Sequence, residues 1–108
     1  MFTFAAPIQS GVPTRLQSIV INSSTLLLTW HAPNAENTNG ILQQYHVEIN
    51  DSISSDQIIY TTNETHLLVD NLQSNHEYSF RVAALTNARG PFSKAITVTL
   101  QSKLSKET

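Results

Sequence analysis

Chemistry in this chain would have to come from a short set of side chains. Its 108 residues hold four histidines (His31, His46, His66 and His76), eight carboxylates, six lysines or arginines and no cysteine. Without a thiol there is no cysteine nucleophile, no thiolate metal site and no disulfide framework. Nucleophilic catalysis needs a base beside the nucleophile and donors for the oxyanion. No Gly-x-Ser-x-Gly elbow, phosphate-cradling glycine loop or His-Glu-x-x-His pair occurs in the sequence. His46 and Glu48 stand two residues apart, on one face of any extended strand. Zinc needs three or four converging ligands, so this pair reads as two side chains on an outer sheet face. Asp70 and Glu77 give no better acid pair. The expectation is a chain with no catalytic residue, no metal and no cofactor.

Three Asn-x-Ser/Thr sequons are a different kind of site: Asn22-Ser23-Ser24, Asn50-Asp51-Ser52 and Asn63-Glu64-Thr65. None has proline in the middle, and all three fall where a turn or strand end is expected. Asn22, Asn50 and Asn63 are therefore candidate glycan acceptors, and Asn63, whose sequon ends in threonine, leads.

The elements that must position these residues are strands. Leu26, Leu28 and Trp30 alternate with Leu27, Thr29 and His31, and Tyr45, Val47 and Ile49 alternate with His46 and Glu48. Tyr78, Phe80, Val82 and Ala84 alternate with Ser79, Arg81 and Ala83, and Ile96, Val98 and Leu100 with Thr97 and Thr99. A period of two means one buried and one wetter face, as in antiparallel sheets. Weaker strands are expected over Leu16–Ile21, Gln57–Thr61 and Leu67–Val69, with breaker clusters between them such as Ala32-Pro33-Asn34, Asn39-Gly40 and Gln73-Ser74-Asn75. Seven short strands at this spacing predict an all-β antiparallel sandwich.

Bulk properties agree. Hydrophobic residues make up 40% and charged residues 13%, which suits a folded chain rather than a disordered one. A net charge of −2 supplies no basic field for a phosphate backbone, so nucleic acid is excluded as a partner class. No apolar run approaches the ~20 residues a membrane span needs. The first residues lack the basic start and the length of a secretory signal, so a native signal or anchor is expected outside them. Residues 1–12 are expected to be a linker or the end of a preceding module, 13–101 the domain, and 102–108 a polar linker.

With the strands placed, the landmarks resemble the fibronectin type III family. Pro13 precedes the first strand, and Trp30 closes the second, followed by His31-Ala32-Pro33. Tyr45 lies in the third strand, and Leu72 precedes Tyr78 by six positions, as in the family's tyrosine corner. Tyr78-Ser79-Phe80-Arg81-Val82-Ala83-Ala84, then Asn87, Gly90 and Ser93, match its penultimate strand and the following loop. The resemblance covers residues from about 13 to 100. It implies a seven-stranded Greek-key, immunoglobulin-like sandwich with Trp30, Tyr45, Leu72, Tyr78 and Val82 in its core. Physically, Trp30 supplies an apolar plate between sheets about 10 Å apart. The Tyr78 hydroxyl can bond backbone near Leu72, and Gly90 would permit a positive φ in the loop before the last strand.

The resemblance further implies a non-catalytic spacer and protein-interaction module. Its setting would be a tandem array in an extracellular cell-surface receptor or adhesion protein, with neighbouring modules among its partners and a monomeric state in isolation. Two other settings of the family stay open: an intracellular structural module of a giant muscle-type protein, and an accessory domain of a carbohydrate-active enzyme. The family's integrin-binding Arg-Gly-Asp is not reproduced, because Arg89-Gly90 is followed by Pro91. The paired cysteines and Trp-Ser-x-Trp-Ser run of its cytokine-receptor branch are absent as well. Candidate partner contacts are Arg89 and Phe92, a cation beside an aromatic in the expected loop, with Arg81 and His46 on the neighbouring outer face.

Overall fold

The computed structural model describes residues 11–33, 44–86 and 88–101. The expected Asn39-Gly40 turn, Asn87 and most of the two expected linker segments (1–10 and 102–108) lie outside the described residues. The strands are β1 (Thr14–Asn22), β2 (Thr25–His31), β3 (Gln44–Asp51), β4 (Gln57–Thr62), β5 (His66–Val69), β6 (Glu77–Leu85), β7 (Arg89–Phe92) and β8 (Ile96–Thr99). They form two antiparallel sheets. One runs β1-β2-β5; the other runs β4-β3-β6-β7, with β8 also paired to β6. No helix among the described residues is long and apolar enough to cross a membrane.

The period-two pattern becomes the core directly. From the small sheet, Leu26, Leu28, Trp30 and Val69 point inward; from the large one, Tyr45, Val47, Ile49, Tyr78, Phe80, Val82 and Ala84 meet them. The Trp30 ring meets that of Tyr45 edge-on, with centroids 5.4 Å apart and planes at 71°, a favoured aromatic geometry. The Tyr78 ring packs beside Phe80, and its hydroxyl accepts a 2.7 Å hydrogen bond from the Gln73 backbone N–H. One side chain thus ties the β5–β6 crossover to the core, and Leu72, in that crossover, donates its own N–H to the Ser24 carbonyl at 3.0 Å.

Among the described residues, eight strands replace the expected seven because the last one breaks in two. Opposite β6, Ala83 pairs with Phe92 and Phe80 with Ile96. Three steps on β6 therefore face four on its partner, the signature of a bulge. Ser93 closes the break: its N–H donates to the Val82 carbonyl at 2.7 Å, and its hydroxyl accepts the Val82 N–H at 3.1 Å. Gly90 is correspondingly not in a loop; it is buried within β7.

The β3–β4 hairpin has its own lock. One oxygen of the Asp51 carboxylate accepts the N–H of Ile53 at 2.9 Å, and the other lies 2.8 Å from His76 Nδ1. The imidazole and these backbone donors hold its carboxyl down at about 2. Ser55 completes the turn with φ of 63°.

Candidate functional site

The outer face of the large sheet collects the polar residues that the alternation assigned to it. Strand register sets Glu48 opposite Ile59 on one side and Arg81 on the other. One residue pair along, Thr61, His46, Ala83 and Phe92 form a continuous cross-strand row. Arg89 lies opposite Leu85 on the same face. The sheet thus brings His46, Arg81, Phe92 and Arg89 together, although they span more than forty residues of sequence.

The contacts within this group are specific. The Arg81 guanidinium lies over the Phe92 ring at 4.1 Å from its centroid, and Arg89 lies over the same ring at 4.7 Å. Cations at these distances are drawn to the negative face of the ring, by about 0.5–1 kcal/mol at exposed sites. Arg81 Nε also donates to Glu48 Oε1, while the Gln57 amide donates to Glu48 Oε2 at 2.7 Å. Glu48 is only 5% exposed. It is therefore not the solvated carboxylate expected from its outward position. The Arg81 hydrogen bond holds its carboxyl below the usual range, and the same bond raises the Arg81 guanidinium.

These contacts divide the roles. Arg81 is committed to Glu48 and Phe92, so it braces the face. Arg89 is exposed and forms no ion pair among the described residues. Phe92 is half-buried within β7 rather than free at a loop tip. His46 is half-buried beside this group, and its Nδ1 has no hydrogen-bond partner among the described residues. Among those residues, no three histidines or carboxylates are grouped to hold a metal ion.

The three sequon asparagines differ in setting. Asn63 is exposed in the bend between β4 and β5. Asn22 is exposed at the end of β1, where its side-chain oxygen accepts the Ser24 N–H at 2.9 Å. Asn50 is half-buried inside β3. Two partnerships escaped the sequence reading. Asp51–His76 joins turns 25 residues apart, and only the Asn-Asp-Ser turn composition hinted at its Asp51 half. Gln57, the third member of the Glu48 group, carried no signal of its own.

Comparison with known proteins agrees with this architecture. The sequence profile of the fibronectin type III domain matches residues 11–99. The zebrafish (Danio rerio) receptor-type tyrosine-protein phosphatase F is 32% identical over 90 residues, covering 82% of this chain and 5% of the phosphatase. Rat (Rattus norvegicus) neogenin is 30% identical over 88 residues, covering 78% of this chain and 6% of neogenin. The third fibronectin III domain of human KIAA0343 protein superposes with a TM-score of 0.79 at 19% identity, covering 94% of this chain and 90% of that one. Titin domains A168–A170 share the fold at a TM-score of 0.75 and 21% identity, covering 87% of this chain and 33% of theirs. The two-sheet sandwich, with its tyrosine tied to the crossover backbone, is the architecture of an immunoglobulin-like module. The chain belongs to the fibronectin type III family, and its relatives by sequence include multidomain receptor proteins of which it spans about one twentieth.

Proposed function

We propose that this domain, over residues 13–101, is a non-catalytic extracellular spacer and protein-recognition module in a tandem array of a cell-surface receptor or adhesion protein. Its contact surface is the outer face of β3, β6 and β7. One observation carries the reading: two guanidinium groups lie over the Phe92 ring, one braced by the nearly buried Glu48 and the other, Arg89, outside any ion pair among the described residues and so available to a partner. Arginine and aromatic side chains are enriched in interface hot spots, and bracing lowers the entropy lost on binding. The likeness to receptor-type proteins supports the cell-surface setting, as does the exposure of Asn63 and Asn22 at turns where glycans can project. Asn50 is the weakest of the three acceptors.

The test is a multivalent fusion of the domain applied to intact cells. Arg89→Glu is expected to abolish staining while the domain stays folded, with its circular-dichroism spectrum kept. Staining equal to that of the unaltered domain would refute the assignment of this face. For the setting, antibody labelling of the parent protein on unpermeabilised cells is the direct measurement, and labelling only after permeabilisation would overturn an extracellular location.

A further inference from the structure

The four borders of the two sheets are not alike. β1 is broken by two register shifts and by Arg15 at φ 57°. β5 has only four residues. The β7–β8 border carries Pro91 and the bulge at Ser93. Such irregularities stop a sheet edge from pairing with another chain. β4 has none of them. Its six residues, Gln57-Ile58-Ile59-Tyr60-Thr61-Thr62, contain no proline, glycine or charge, and they pair with β3 in unbroken register. Its first five residues are exposed.

The inner side of this strand is equally unusual. Ile58 and Tyr60, opposite Ile49 and Val47, face a cleft of about 210 Å³ where the two sheets part. Ile49, Val69, Leu72 and Tyr78 complete its apolar wall, and Asp56 and Asp70 stand exposed at its rim. Asp51 also lines it but is occupied by His76. Among the described residues, no lysine or arginine lines the cleft. An apolar cavity of about 150 Å³ accommodates benzene, so this space admits one or two branched aliphatic side chains.

We infer that β4 is a docking edge for an extended segment of a partner protein, added antiparallel as a further strand. The segment inserts aliphatic side chains between Ile58, Tyr60 and Leu72 and offers a flanking lysine or arginine to Asp56 and Asp70. Main-chain hydrogen bonds supply affinity in this mode, and side-chain pockets supply selectivity. A second copy of this chain fits less well, because its own β4 carries no cation to meet the acidic rim. The edge lies on the opposite border of the large sheet from β7, so a segment added there leaves Arg89 uncovered, although Gln57 of β4 belongs to the Glu48 group.

The test is an NMR titration of the isotope-labelled domain. The probes are a peptide of alternating isoleucine and threonine flanked by lysines, and its glutamate-flanked counterpart. The lysine peptide is expected to shift the amides of residues 57–62 and to bind about tenfold more tightly than the glutamate peptide. Asp56→Asn with Asp70→Asn is expected to weaken it about fivefold, the effect of two screened ion pairs. Ile58→Lys, an inward charge at the edge, is expected to abolish binding while β6 amides keep their positions. Ile58→Thr, which removes the inward aliphatic contact without adding a charge, serves if that variant does not fold and is expected to weaken binding about fivefold. Unmoved 57–62 amides at millimolar lysine peptide would overturn the inference. So would equal binding of the two peptides, or concentration-dependent shifts of these amides without peptide, which would indicate self-pairing.

Discussion

Replacing Ser93 with alanine removes one oxygen at the point where the last strand breaks. In the intact domain the Ser93 hydroxyl takes the Val82 N–H at 3.1 Å and donates to the Lys94 carbonyl at 3.2 Å. Val82 is fully buried, so no water can replace that acceptor without opening the sheet. A buried donor left without a partner costs about 1–3 kcal/mol. In a domain of this size each kcal/mol moves the melting midpoint by about 4–8 °C. Ser93→Ala is therefore expected to lower the midpoint by roughly 8–16 °C for a central value of about 2 kcal/mol. Ser93→Thr, which keeps the hydroxyl, is expected to recover most of the loss. Circular-dichroism melts give the midpoints, and amide exchange at Val82 locates the effect. A stability loss below about 0.5 kcal/mol, the range of ordinary surface substitutions, with Val82 still protected, would mean that the Ser93 hydroxyl does not hold the Val82 N–H.

Other substitutions separate core, brace and contact. Trp30→Ala is expected to cost about 3–5 kcal/mol through lost burial and a cavity, read by urea unfolding. Arg89→Ala is expected to cost no more than about 1 kcal/mol, because Arg89 is exposed, is outside any ion pair among the described residues and loses only its contact with the Phe92 ring. Arg81→Ala is expected to cost more than Arg89→Ala in the same denaturant series, since it leaves the Glu48 carboxylate nearly buried without its cation. Acid unfolding tests Asp51. Its carboxyl sits at about 2 in the folded domain, against about 3.9 in an unfolded chain. Between those values the unfolded state binds more protons, so the stabilisation is full above about pH 5 and disappears as pH falls towards 2. Asp51→Asn is expected to flatten that part of the stability–pH curve.

Much of the fold was legible because alternation is a local property. The run from Tyr78 to Ala84 announces both its strand and its inward face, and Leu72 six residues earlier announces the tyrosine corner. The split of the final strand was not legible, because a bulge depends on how Ser93 meets Val82 across the sheet rather than on its neighbours in sequence. The candidate face was half visible. Outward positions for His46 and Arg81 followed from periodicity, but the burial of Glu48 required the side chains of Gln57 and Arg81, one strand away on either side. Phe92 followed Pro91 and Gly90, residues typical of loops, so its place in a strand was hidden. The β4 edge was visible only as a short isoleucine-rich strand; its lack of protection emerges from comparison with the three other borders.

Two guanidinium groups lie over one phenyl ring, and proton NMR of the arginine side chains reads that arrangement. Ring current from Phe92 should displace the Arg81 and Arg89 δ-proton resonances upfield, and Phe92→Leu should return both to ordinary positions. Resonances already at ordinary positions in the unaltered domain, and unmoved by that substitution, would mean that neither guanidinium group lies over the ring.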